Sequence, residues 1–169
     1  MAFSRKLRIA VAVIAVLGAA VVVYSVTQRA TVLAAPAVTF TTLDGRQIRL
    51  QDQRGKVVMV LFWATSCPIC MGEMPDLIQI YRQHQARGFE LIAVAMAYDS
   101  QEQVRNFASR RSLPFPVVLD PNGGLARVFN GTQVVPTTFL IDKKGSVVSQ
   151  TRGAIDFSKL HQYLDASLG

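Results

Sequence analysis

Two apolar runs on either side of a helical segment constrain this chain more than any other feature. Val57 to Trp63 reads VVMVLFW, and Phe89 to Met96 reads FELIAVAM. Both runs are short, continuous and rich in β-branched or aromatic residues, the pattern of strands buried on both faces. Ala64-Thr65-Ser66 breaks the first run. Met74, Leu77, Ile78 and Tyr81 then recur at helical spacing until Gly88 ends the segment. Strand, loop, helix, strand predicts a βαβ unit with a right-handed crossover. Open α/β sheets carry their chemistry where strands end and helices begin. That loop leads into Cys67-Pro68-Ile69-Cys70, which holds the only two cysteines of the chain.

The N-terminal region sets the compartment in which those thiols are to be read. Met1 to Arg8 is cationic, and Ile9 to Gln28 then runs 20 residues without a formal charge. That length suits a membrane span, about 17–25 apolar residues, better than the roughly 7–15 of a secretory signal. Ala35-Pro36-Ala37 and Val32-Leu33-Ala34 are weak cleavage sites, so a cleaved, soluble form stays open beside the uncleaved anchor. The cations before the run outnumber Arg29 after it, which keeps the N-terminus in the cytoplasm. We therefore expect a signal-anchor over residues 1–28, a linker over 29–37 and a folded domain over 38–169. The domain is expected on the periplasmic side of the inner membrane.

Charge argues against a nucleic-acid partner. Four of the 18 basic residues lie in residues 1–35, which contain no acid; residues 36–169 carry 14 basic against 11 acidic residues. That balance is not the basic face a nucleic-acid binder needs. A hydrophobic content of 50% excludes disorder, and 169 residues exclude a large multidomain enzyme.

In an oxidising compartment the cysteine pair has three uses: structural disulfide, metal site or redox centre. Closing so small a loop contributes about 2 kcal/mol before strain, and a domain with this apolar content does not depend on it. Zinc wants four ligands, and His84 and His161 stand at no metal-like spacing from the pair. Both histidines read as surface or packing residues. Met59, Met71, Met74 and Met96 could join the thiolates around copper, but all except Met71 fall on apolar faces. Neither metal nor cofactor is expected, with copper delivery kept as an alternative.

Redox chemistry is the use the surroundings favour. Cys67 falls at the amino end of a helix, where free N–H groups and the helix dipole stabilise a thiolate. Pro68 suits the first helical position. Cys67 is then the attacking thiol, and Cys70, turned toward the protein, resolves the mixed disulfide. Glu73 shares a helical face with Cys70. Its spacing leaves two readings open, a solvated surface charge or a proton acceptor for the sheltered thiol. Pro75 separates this turn from the rest of the helix. Beyond Met96 the pattern predicts a helix over Gln101–Arg111, a strand over Phe115–Leu119 and a short helix over Leu125–Phe129. A hairpin of Phe139–Ile141 with Val147-Val148 and a closing helix with Phe157, Leu160 and Leu164 inward complete the chain.

Phe62-Trp63-Ala64-Thr65-Ser66-Cys67-Pro68-Ile69-Cys70, with Glu73 and Pro75, resembles the active-site segment of the TlpA/ResA-type membrane-anchored thioredoxin-like proteins. Val135-Pro136-Thr137-Thr138-Phe139-Leu140-Ile141-Asp142 resembles their second signature. Leu43-Asp44-Gly45-Arg46 and Arg54-Gly55-Lys56-Val57-Val58 resemble their opening hairpin and lead-in. The resemblance implies a thioredoxin-like α/β fold with an N-terminal β-hairpin and a central αβ insertion, preceded by one transmembrane or signal helix. It implies Cys67 as nucleophile, Cys70 as resolving cysteine, Glu73 as active-site acid and Pro136 as a cis-proline facing the disulfide. It also places Trp63, Ser66 and Val135 at the substrate, Val135 offering its backbone to an extended strand. The activity implied is thiol–disulfide oxidoreduction on exported disulfide-containing proteins, for example in cytochrome maturation, recharged by a transmembrane thiol donor.

The departures are specific. Ser66 stands where many relatives have tryptophan, and Leu61 where thioredoxins proper have a buried aspartate. Val60 and Ala64 stand where thioredoxin-like peroxidases carry proline and Thr or Ser. Pro68-Ile69 between the cysteines leaves the direction of electron flow open between a reductase and an oxidase or isomerase.

Overall fold

The computed structural model describes residues 33–169 and, ahead of them, Gly18. The apolar N-terminal segment, and with it the signal-anchor reading of residues 1–28, lies outside the described residues. Among those that are described, no helix is long and apolar enough to cross a membrane.

The strands are β1 (Leu33–Ala34), β2 (Thr39–Thr41), β3 (Gln47–Arg49), β4 (Val57–Trp63), β5 (Phe89–Ala95), β6 (Val117–Leu119), β7 (Thr137–Ile141) and β8 (Ser146–Arg152). The helices are α1 (Pro68–His84), α2 (Gln101–Arg110), α3 (Gly124–Val128) and α4 (Phe157–Leu168). Six strands form one sheet in the order β1-β8-β7-β4-β5-β6, and β2 pairs with β3 in the hairpin expected from Leu43–Arg46. β4, β5 and β6 run parallel, with Val57 opposite Phe89 and Ala93 opposite Val117. β7 is antiparallel to β4, β8 to β7, and β1 to β8.

All seven residues of β4 are buried, as a strand covered on both faces requires. Side chains alternate between faces. Val57, Met59, Leu61 and Trp63 join the core with α1, α2 and α4, which supply Leu77, Val104 and Leu164 among others. Val58, Val60 and Phe62 point the other way, against Phe40 of the hairpin, Ala126 of α3, and Phe129. Phe62, Phe129 and Phe139 close this second core, their ring centroids 5.1–6.0 Å apart. Each fully buried side chain of this size contributes about 1.5–3 kcal/mol of transfer free energy.

Three expectations shift. The inward face of α1 is Cys70, Glu73, Met74, Leu77, Ile80, Tyr81 and His84, whereas Ile78 stands at its margin, half-buried. The strands expected over 139–141 and 147–148 extend to Thr137–Ile141 and Ser146–Arg152, because ladder pairing carries polar positions that have no apolar pattern. The compact unit begins at Leu33, so β1 lies within the stretch read as linker. Ala35 N–H adds a hydrogen bond to the Gly145 carbonyl at 2.9 Å.

Candidate active site

β4 ends at Trp63, and after three intervening residues Cys67 caps α1. Its backbone is extended, at φ −92° and ψ 108°, and Pro68 follows as the first helical residue. The Cys67 amide donates to the Ala64 carbonyl at 3.1 Å, and the Met71 amide to the Cys67 carbonyl at 3.0 Å. Cys67 and Cys70 are joined in a disulfide with Cα atoms 5.3 Å apart. The Cys70 amide donates to Cys67 Sγ at 3.1 Å, so the first helical turn supplies the donor that a Cys67 thiolate would use. Cys67 is 9% exposed and Cys70 1%. Ser66, Pro68 and Ile69 are exposed around them, Ile69 by 51%. The outer sulfur therefore lies on a small rim of one hydroxyl and two apolar side chains, and the inner one faces the core.

The second signature arrives at the same edge. Thr137 is opposite Phe62 in the β4–β7 register, and that antiparallel register, continued, brings Pro136 toward Trp63 and Val135 toward Ala64. The Val135–Pro136 peptide bond is cis. The Gly153 amide donates to the Pro136 carbonyl at 2.8 Å, and Thr137 Oγ1 donates to the Val134 carbonyl at 2.7 Å. Among the described residues, neither the N–H nor the C=O of half-buried Val135 has a backbone partner. A segment of backbone with both groups free, beside a disulfide, can accept an extended strand.

Glu73 is not a solvated surface charge. It is 8% exposed, one turn from Cys70 on the buried face of α1. Its Oε1 accepts from the Ile155 amide at 2.6 Å, and its buried Oε2 has no hydrogen-bond partner. Burial pushes its carboxyl above the ordinary carboxylate range; the Ile155 amide pulls it back, and Asp76 adds a smaller upward push. Leu61 is buried opposite Thr138, so the sheet behind the cysteines carries no carboxylate at that position.

Trp63 is a correction. It was expected at the substrate, but it is 0% exposed and packs against Phe107, the rings tilted by 49° with centroids 5.4 Å apart. The alternation of β4 points it inward with Val57, Met59 and Leu61. Ser66 does reach the rim. Met59, Met74 and Met96 pack in the two cores, and His84 is buried, its ring pushed toward the neutral form by burial and by Arg87. Among the described residues, no cluster of three or more His, Cys, Asp or Glu side chains is placed to hold a metal ion.

Two features of this edge leave no motif in the sequence. Asp99 binds Thr65 twice, accepting from its amide and its hydroxyl, each at 2.6 Å. Its only signal was position, since the loop after β5 opens at the same sheet edge as the loop after β4. A shallow pocket of about 280 Å³ lies there too, lined by Met96, Tyr98, Ala126, Arg127, Thr132 and Gln133.

Residues 32–150 match the family described as "AhpC/TSA family". The chain is 37% identical over 130 residues to thiol-disulfide oxidoreductase ResA of Bacillus thuringiensis subsp. konkukian, covering 77% of this chain and 74% of that protein. ResA of Bacillus subtilis is 34% identical over 131 residues, covering 78% and 72%. Among solved structures, a thioredoxin-family thiol:disulfide interchange protein from Chlorobium tepidum superposes with a TM-score of 0.75 at 29% identity, over 83% of this chain and 99% of that one. StoA from Bacillus subtilis superposes with a TM-score of 0.65 at 28% identity, over 76% and 98%. Val60 and Ala64, both buried and apolar, lack the groups a peroxidase of this fold places there.

Proposed function

Given that this chain belongs to the AhpC/TSA family and is a ResA-type, thioredoxin-like thiol–disulfide oxidoreductase, we propose that it works as a reductase of exported proteins. The observation that carries the reading is the asymmetry of the pair: Cys67 at the rim on a helix amino end, Cys70 sealed behind it.

In the reduced protein, the Cys67 thiolate attacks one sulfur of a client disulfide. The client S–S bond breaks, a Cys67–client bond forms, and the first client sulfur leaves as a thiolate that takes a proton. Cys70 then gives up its proton and attacks Cys67 Sγ. The mixed disulfide breaks, the second client thiol is released, and the Cys67–Cys70 bond re-forms. Two electrons have passed to the client. Glu73, one turn from Cys70 and raised in pKa by burial, is the acceptor for the Cys70 proton. Val135 pairs with the client backbone, and Ser66 and Ile69 meet the residues beside its cystine.

Residues 1–28 anchor the domain on the periplasmic side of the inner membrane, as the cationic start and the 20 uncharged residues suggest. A membrane thiol donor returns the two electrons. Clients are disulfide-bearing exported chains such as apocytochromes.

Two measurements test this. Cys70→Ser should accumulate mixed disulfides through Cys67, and none should form if Cys67 is replaced as well. Equilibration with thiol–disulfide buffers should give a reduction potential at or below about −230 mV; a value of about −120 to −180 mV would move the assignment to oxidation or isomerisation.

A further inference from the structure

We propose that Asp99 is a positioning residue for Cys67, bracing the loop that presents the thiol and opposing its ionisation. The inference rests on Cys67 being the attacking thiol. Ala64, Thr65 and Ser66 carry the chain from β4 to Cys67, and the middle residue is held from 34 positions away. Asp99 Oδ2 accepts from the Thr65 amide and Oδ1 from the Thr65 hydroxyl, both at 2.6 Å. Asp99 is itself fixed, its amide donating to the Met96 carbonyl at 2.9 Å, while the Met96 amide donates to the Trp63 carbonyl at 3.0 Å. The next residue, Ser100, caps α2 by accepting from the Gln103 amide at 3.4 Å. The Cys67 loop is thereby tied to the start of α2.

Both donors to Asp99 are neutral, and among the described residues no cation pairs with it. The charged groups nearest Cys67 in sequence and along the hydrogen-bonded loops are acidic: Asp99 on the β5–α2 loop, Glu73 and Asp76 in the first turns of α1. The cations on the neighbouring elements are Arg82 late in α1, Arg105 and Arg110 with Glu102 on α2, Arg105 being bonded to the Leu43 carbonyl, and Arg127 on α3. β4, residues 64–66 and residues 132–136 bring none. Thr65 is two residues from Cys67; at roughly 3.5 Å per residue, with the hydrogen bond and the cysteine side chain added, the Asp99 carboxylate stands within about 13 Å of the sulfur. A negative charge at that range disfavours the thiolate, and the helix amino end favours it. Asp99 thus offsets part of what the helix confers.

The test is the pH dependence of Cys67 alkylation by iodoacetamide, in the full-length chain carrying Cys70→Ser so that one thiol reacts. Asp99→Asn keeps an acceptor for Thr65 and removes the charge. The Cys67 titration should move down by about half a pH unit, so the thiolate fraction below the pKa rises about threefold. Because nucleophilicity falls with basicity, alkylation at pH 7 should then speed up about twofold. A curve that overlays the parent's, or moves upward, overturns the proposal, whatever the Tm. Should Asp99→Asn fail to fold, Asp99→Ser reads the same charge with an acceptor retained. A Cys67 that alkylates in neither protein would sink the attacking-thiol reading as well.

Discussion

Glu73 spends one oxygen on the Ile155 amide and leaves the other without a partner inside the protein. Burial holds its carboxyl above the ordinary value of 4.5. A carboxyl bound more tightly to its proton in the folded state stabilises the fold below the unfolded value. That contribution is lost as pH climbs through the folded value. Glu73→Gln keeps the acceptor for Ile155 and removes the charge. The variant should match the parent near pH 4 and exceed it at pH 8 by about 1 kcal/mol, read by urea denaturation at both pH values. If Glu73 takes the Cys70 proton as proposed, the same substitution should prolong the mixed disulfide on Cys67. At this scale the sequence was legible where partners are close in number: Cys67, Cys70 and Glu73 lie within two helical turns. Asp99 was not, because a hydrogen bond across 34 residues leaves no periodic trace. Trp63 was misread because resemblance placed it at the rim, although the alternation of its own strand points it inward.

Among the elements, α1 carries the site and its end is the sharpest feature in the sequence. Gln85–Arg87 tighten into a 3₁₀ turn, and Gly88 then turns at φ 97° into β5. A Cβ at Gly88 would meet only Leu168 Cδ2, at an ordinary 3.9 Å, so the cost of Gly88→Ala is conformational and not steric. It should lower stability by about 1–2 kcal/mol without changing the Cys67 alkylation rate. A loss far above that would mean the β5 register had moved. β4, α1 and β5 were readable because burial on both faces and helical periodicity mark them directly. β1 and β8 were not. β8 reads SVVSQTR, and its place comes from the ladder with β7 and not from its own pattern.

For the whole molecule, order in the sheet separates what is essential from what is added. β1 contributes the pairs Leu33↔Val147 and Ala34↔Ser146 at one edge, and Leu33 is 68% exposed. A chain beginning at Pro36 should therefore keep both cores and lose about 1–2 kcal/mol relative to one beginning at Leu33, measured by urea denaturation. Failure to fold would make β1 integral to the sheet. The α/β class and the hairpin followed from the sequence and its resemblance. The sheet order rests on long-range pairing, which local patterns do not encode.

β4 sits between a neighbour that comes soon after it and one that comes late. Val58 pairs with Glu90 on one side and with Ile141 on the other. At ~5–20 residues per second of synthesis, β4 waits on the order of ten seconds for its second neighbour. During that interval VVMVLFW is an apolar strand with one edge open, the kind of segment that aggregates or recruits a holdase. The two cysteines emerge just behind it, well before the Val135–Pro136 segment is made. With only two cysteines in the chain there is a single internal pairing to make. Oxidation of the nascent chain within itself thus gives the native bond, and its biogenesis calls for protection of a strand and not for correction of a disulfide.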